Sequence, residues 1–315
     1  MKGSIKKAVV VSTLILFLSP AMAINVLDST NKVLFYKTID DNSTKLSASS
    51  ASTYAEKIDT LSRILLGSAY VGGSVGEGEQ GKYDKDPLTR FDVFDCTTYV
   101  ETVLAGAMSS TSEAFKTNLM RLRYKDAKVS FVTRNHFPSL DWFHNNQAIL
   151  QDITPDVANG GARVAKTIVD KAAWYQRINS DVIHCDAESS RDCRELLAQL
   201  HAEGKAFVPE PAYLPYVPLT ELFLGRDRHV NQVLLDRIPS GSVISMVRPD
   251  WLLKQYIGTN MNVSHQGLAI RKNGTLFLRH ASQTHKKVID ENFADYFSQY
   301  SASSSLKGFN VQILR

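Results

Sequence analysis

Phe94-Asp95-Cys96-Thr97-Thr98-Tyr99-Val100-Glu101 is the stretch whose reading decides the fold, because it sets a thiol at the start of an apolar helix. Val103, Leu104 and Ala107 continue the run at helical spacing. Asp92 or Asp95 can cap that helix, which leaves Cys96 in its first turn. Main-chain N–H groups without helical partners gather there, and the positive dipole end favours thiolate over thiol. The same N–H groups can donate to an oxyanion. Upstream, Ile58, Leu61, Ile64 and Leu65 mark an earlier helix closed by Gly67. Gly67-Ser68-Ala69-Tyr70-Val71-Gly72-Gly73 follows, a turn whose glycines allow close backbone approach.

Moving outward, the chain opens on an export leader. Lys2, Lys6 and Lys7 precede an apolar run from Ala8 to Leu18, and Ala21-Met22-Ala23 is a small-x-small cleavage site. The run is too short to span a bilayer, and no later segment is apolar enough to do so. The expected product is a periplasmic or secreted protein. The 36 basic and 32 acidic residues nearly balance once the three leader lysines are removed, so neither nucleic acid nor a membrane surface is implied as partner. The division expected is a leader over residues 1–23, a flexible lead-in over 24–53 containing the polar stretch Asp41 to Ser52, and one catalytic domain over 54–315.

Three cysteines in an exported chain raise the question of pairing. Cys185 and Cys193 bracket a polar, charged stretch that reads as a surface loop, and a disulfide between them would close it. Such a short loop is worth ~2–3 kcal/mol in the chain-entropy treatment. Cys96 is then the free thiol.

A base for that thiol lies in the C-terminal third. Ser264 to Lys272 and Thr275 to Ser282 are short β-rich runs joined by Asn273-Gly274, a strong hairpin signal. With a two-residue loop, His280 falls opposite Gly267 and His265 opposite Ser282, so the two imidazoles share a face as diagonal neighbours. An odd loop would set them on opposite faces. A thiol, a histidine and a second polar group that orients it is the arrangement for nucleophilic acyl transfer. Cys96 would attack a carbonyl, His265 would move the proton, and His280 would hold the His265 ring.

At these residues the sequence resembles the NlpC-type cell-wall hydrolases, papain-like bacterial cysteine peptidases and amidases. The shared pattern is Gly67, Tyr70, Gly72 and Gly73 in the turn, Asp95-Cys96 at a helix start, His265-x-Gly267 on a strand, and His280 on the next. It is closer still to a branch regarded as N-acetylmuramoyl-L-alanine amidases. To that branch belong Thr98-Tyr99-Val100-Glu101, Leu119 to Tyr124, Arg134-x-His136-Phe137 before Trp142, Asp152-Ile153-Thr154, Val263 to Gly267 and His280-Ala281-Ser282. The resemblance spans about Leu61 to Arg315. It implies an α+β, papain-like fold, with a helical N-terminal half that presents the nucleophile to an antiparallel sheet carrying the histidines. The implied reaction is hydrolysis of the amide between N-acetylmuramic acid and L-alanine in peptidoglycan or its muropeptide fragments, through a thioester. Other readings are a stem-peptide endopeptidase cutting between D-Glu and the diamino acid, a non-catalytic muropeptide-binding protein, and an antibacterial effector using the same chemistry.

The resemblance also implies substrate contacts. Tyr70 can offer its hydroxyl to substrate or simply pack in its turn. Arg134 and His136 can touch glycan or peptide, or make a structural ion pair and hydrogen bond. Asp95 reads first as a helix cap. The pair Gly241-Ser242 stands where relatives carry Gly-Asp, and 184–193 with part of 209–218 reads as insertion. No cofactor or metal is expected. His265, His280, His285 and Cys96 are zinc-ligand residue types, but no His-x-x-x-His or Cys-x-x-Cys spacing supports a site.

Overall fold

A computed structural model of the chain describes residues 20–43, 51–183 and 190–315. Helices α1 (Pro20–Ser43) and α2 (Ala51–Ile64) come first, then the short strands β1 (Ala69–Tyr70) and β2 (Val93–Phe94). β2 runs into α3 (Cys96–Met108), which is followed by α4 (Ser112–Arg123), β3 (Leu150–Asp152), β4 (Arg163–Val169) and α5 (Ser190–Gly204). The sheet is completed by β5 (Glu210–Pro218), β6 (Val243–Trp251), β7 (Met261–Lys272), β8 (Thr275–Ser282), β9 (Lys287–Asn292) and β10 (Gly308–Leu314). A short helix, α6 (Phe293–Ser298), sits between the last two strands.

One ten-stranded sheet runs in the order β2-β1-β9-β8-β7-β6-β10-β5-β4, with β3 on β10. All its pairings are antiparallel except β1 with β2. The fold is therefore mixed α+β. Strand periodicity divides its two cores. On β7, Leu268 and Ile270 join the core under α1 to α4, while Ala269 joins the core formed with Leu278 on β8, Phe293, Phe297 and Phe309. α3 packs on β7 and β8 and is buried from Thr98 to Ala107. A helix apolar on every side belongs inside a domain, and α2 and α4 cover what the sheet does not.

Two expectations are corrected. Residues 24–53 are not simply a flexible lead-in: α1 occupies their first part, and Phe35 and Ile39 on it are buried. Phe35 meets Phe91 and Phe115 with ring centroids 5.2 and 5.7 Å apart, and Asn31 Nδ2 donates to the Phe91 carbonyl at 2.7 Å. Gly106 on α3 makes this approach possible, since a Cβ there would come within 2.6 Å of the Phe35 ring. The signal was a thin stripe, Asn31, Phe35 and Ile39 at four-residue spacing, blurred by the apolar but exposed Val33 and Leu34 beside it. The domain consequently begins before residue 54. α1 starts at Pro20, so the expected cut at Ala23 falls in its first turn.

The second correction concerns 184–193. Residues 184–189, and with them the expected Cys185–Cys193 pairing, lie outside the described residues. The rest of that stretch is helix rather than loop, because Ser190 opens α5, on which Cys193 is buried. Among the described residues no helix is long and apolar enough to cross a membrane.

Candidate active site

The start of α3 is held by a reciprocal cap. Asp95, in extended backbone, accepts from the Thr98 N–H at 2.8 Å, and its own N–H donates to Thr98 Oγ1 at 3.0 Å. Cys96 is the first helical residue. A second tie joins this turn to the sheet: Thr97 Oγ1 donates to Gln266 Oε1 at 2.9 Å, and Gln266 Nε2 donates to Ser245 Oγ at 3.1 Å. Cys96 is thereby held against β7, whose Gln266 is one residue from His265.

The thiol is not ionised as the helix start alone suggested. Burial pushes it up to about 11, and the Asp95 carboxylate adds to the rise. The Gln266 and Thr97 N–H groups and the Thr97 hydroxyl act in the opposite direction. Loss of hydration is the larger effect here, and it favours the neutral thiol.

His265 and His280 come together through the hairpin. Asn273 and Gly274 take φ of 49° and 81°, both in the left-handed region, and Lys272 pairs with Thr275. The ladder runs in register to Arg279 opposite Leu268. His265 Nε2 lies 2.6 Å from His280 Nδ1, with the rings nearly perpendicular at 85°. Gly267 creates the room, because a Cβ at that position would stand 2.9 Å from the His280 Cβ. Behind the pair, His280 Nε2 lies 2.6 Å from Glu291 Oε2, and the other carboxylate oxygen is 3.6 Å from His285 Nε2. The His280 hydrogen bond holds the Glu291 carboxyl below its ordinary value. Burial, with His280 adding, pulls His265 down to about 3.

These contacts select tautomers. An ionised Glu291 accepts a proton-bearing Nε2 from His280, so neutral His280 has its lone pair on Nδ1. His265 must then donate from Nε2, which leaves the lone pair on its Nδ1. Assigned this way from the network, a neutral thiol and a neutral imidazole face one cavity.

That cavity, about 350 Å³, is lined by Cys96, His265, Asp95, Arg134 and His136 among others. Arg134 Nη1 donates to the Val75 carbonyl at 2.8 Å and stands 3.9 Å from Asp84, which ties it to the glycine-rich loop. His136 Nε2 donates to the Phe131 carbonyl at 2.7 Å, and its ring lies between Phe131 and Trp174. Burial brings His136 down to about 3, so it is a neutral wall residue with Nδ1 free to accept. Tyr70 stands beside the site rather than in the lining, and burial, with Cys96 and Asp95 adding, raises its phenol to about 12. Of the tryptophans only Trp142 is core; Trp174 lines this cavity. Glu101 is occupied by a buried ion pair with Arg123 Nε at 2.7 Å.

Glu291 and Gln266 were missed by sequence reasoning. Glu291 reaches His280 because β9 pairs with β8, Leu278 facing Glu291 and His280 facing Ile289. The connecting Gln283-Thr284-His285-Lys286 contains no Gly, Asn or Pro, so no turn signal announced that hairpin. Gln266 sits between the quoted His265 and Gly267, and nothing local shows that its partner is Thr97.

A family model for N-acetylmuramoyl-L-alanine amidase-like proteins, described as AmiA-like, matches residues 60–303. A solved protein of Legionella pneumophila str. Philadelphia 1 is 35% identical, with 91% of this chain and 96% of that one aligned and a TM-score of 0.82. An N-acetylmuramoyl-L-alanine amidase of Bacteroides uniformis is similar in fold, at 21% identity over 83% of this chain and 99% of its own, with a TM-score of 0.56. No curated protein matches.

Proposed function

The chain belongs to the AmiA-like family of N-acetylmuramoyl-L-alanine amidase-like proteins, and on that footing we propose that it is a cysteine hydrolase cleaving the muramoyl–L-alanine amide of peptidoglycan or its fragments. Membership by itself places it among peptidoglycan-related hydrolases. The observation that carries the finer reading is the run Glu291, His280, His265, which ends at the cavity holding Cys96.

In the reaction, Cys96 Sγ attacks the lactyl carbonyl carbon while its proton passes to His265 Nδ1. Because the resting pair is neutral, transfer accompanies attack instead of preceding it. N–H groups at the α3 start that the Asp95 cap does not take receive the oxyanion. The tetrahedral species collapses as His265 returns the proton to the departing alanine nitrogen, breaking C–N and leaving a thioester. Water, deprotonated by His265, attacks that thioester and expels the thiol. His280 keeps Nδ1 of His265 as the base throughout, and Glu291 does the same for His280. The leader over residues 1–23 supports action in the periplasm or outside the cell, where this substrate lies.

The test is mass spectrometry of purified muropeptides incubated with the wild-type chain and with Cys96→Ala. Release of peptide beginning at L-alanine by wild type alone is the expected result. Cleavage within the stem would make the enzyme an endopeptidase, and binding without product from wild type would leave a muropeptide-binding protein.

A further inference from the structure

Beyond His265 lies a second cleft, about 260 Å³, that shares Ser264 and His265 with the Cys96 cavity but does not include Cys96. Its prominent cation is Arg248. The guanidinium lies over the Trp251 ring at 5.1 Å and the Tyr300 ring at 5.7 Å. The pairing with Trp251 depends on an irregularity: the β6–β7 register shifts between Val247 and Trp251, and Asp250 takes φ of 47°. Such bulges re-aim side chains beside active sites. Arg248 Nη1 donates to Ser305 Oγ, but Nε is buried with no hydrogen-bond partner. No carboxylate pairs with it among the described residues. The only acid lining the cleft, Glu291, has its oxygens turned to His280 and His285. Nε is enclosed and Nη1 is taken by Ser305, but Nη2 makes no hydrogen bond among the described residues, so a cation held this way in a cleft is set up to meet an anion that arrives with a ligand.

Stereochemistry says which part of the ligand that is. The reacting carbonyl must lie at Cys96 and the α3 start, so the acyl side occupies the first cavity. His265 must reach the departing nitrogen, which sends the amine side towards the cleft that holds His265 without Cys96. Past Tyr300 the surface opens into a further cavity of about 600 Å³ that carries Arg163, Arg228 and Lys307 and no carboxylate in its lining. The path away from the base is thus electropositive.

We propose that Arg248, stacked on Trp251 and Tyr300, binds a carboxylate of the leaving peptide and makes the enzyme selective for acidic stems over the same stems amidated. This rests on the hydrolase reading for which bond is cut. A planar, bidentate guanidinium on an aromatic platform suits a carboxylate and gives little to a neutral amide.

The experiment separates the two ideas by measuring binding without turnover. Stem peptide beginning L-Ala-D-Glu, with the glutamate carboxylate free or amidated, is titrated calorimetrically into Cys96→Ala and into the double variant carrying Arg248→Met. Methionine keeps apolar contact with Trp251 and removes the unpartnered Nε, at the cost of the single Nη1 bond to exposed Ser305, with unfolding followed in parallel; Arg248→Lys serves as the second variant. The expected result is at least a tenfold weaker affinity of the free-acid peptide on Arg248→Met, partial retention on Arg248→Lys, and no change for the amidated peptide. Equal loss for both peptides, or no loss for either, overturns the proposal. Arg248-dependent binding without any wild-type turnover upholds the carboxylate site while sinking the hydrolase reading and, with it, the selectivity of cleavage.

Discussion

Removing the Glu291 carboxylate should cost activity by an amount its hydrogen bond sets. At 2.6 Å from His280 Nε2, it is a charge-assisted contact in a largely enclosed place. Such bonds contribute about 1.5–3 kcal/mol. If that energy serves to keep His280 and then His265 in the productive tautomer, Glu291→Ala lowers kcat roughly tenfold to a hundredfold, at about 1.4 kcal/mol per decade. Glu291→Gln retains an acceptor without the charge and should fall between. His285, half exposed and 3.6 Å from the same carboxylate, is peripheral, so His285→Ala should change kcat by less than about twofold. The pH response carries the same sign. The folded carboxyl titrates below its ordinary 4.5, so its contribution is present above that value and is lost as pH falls through the lower folded value. The assay is muropeptide turnover across pH for wild type and the three variants, with unfolding followed in parallel. Wild-type turnover by a folded Glu291→Ala would refute the tautomer argument.

Three further outcomes are expected. With its thiol near 11, Cys96 should be only about one part in ten thousand thiolate at pH 7, and iodoacetamide labelling should climb about tenfold per pH unit towards that value; a plateau near neutrality would restore the helix-start thiolate. Gly267→Ala should cost about 1–3 kcal/mol through crowding against Leu278 and His280, with a larger proportional loss of kcat than of stability; unaltered turnover would mean that His280 has other room. Phe35→Ala should destabilise the domain by about 3–5 kcal/mol in denaturant unfolding, whereas an unchanged midpoint would return 24–53 to a lead-in.

The elements legible beforehand are those written in short-range signals. Asp95 and Thr98 cap α3 three residues apart, and Asn273-Gly274 sets a register that brings His265 and His280 to one face. Caps, turns and strand alternation act over a few residues, so a chain displays them without knowing its fold. Less legible were contacts across distance. Thr97 meets Gln266 over 169 positions, and α1 docks through a stripe whose period is blurred by the exposed Val33 and Leu34 next to it.

The sequence by itself determined the seat of Cys96 at a capped helix start and the pairing of the two imidazoles, because both follow from local backbone geometry. Tertiary structure alone decided the protonation of Cys96 and His265, since desolvation depends on everything packed around a group and not on its neighbours in the chain. It also decided that Glu291 meets His280, because β9 folds back onto β8 through a turn without turn residues, with Val288 buried beneath α3 and its neighbours.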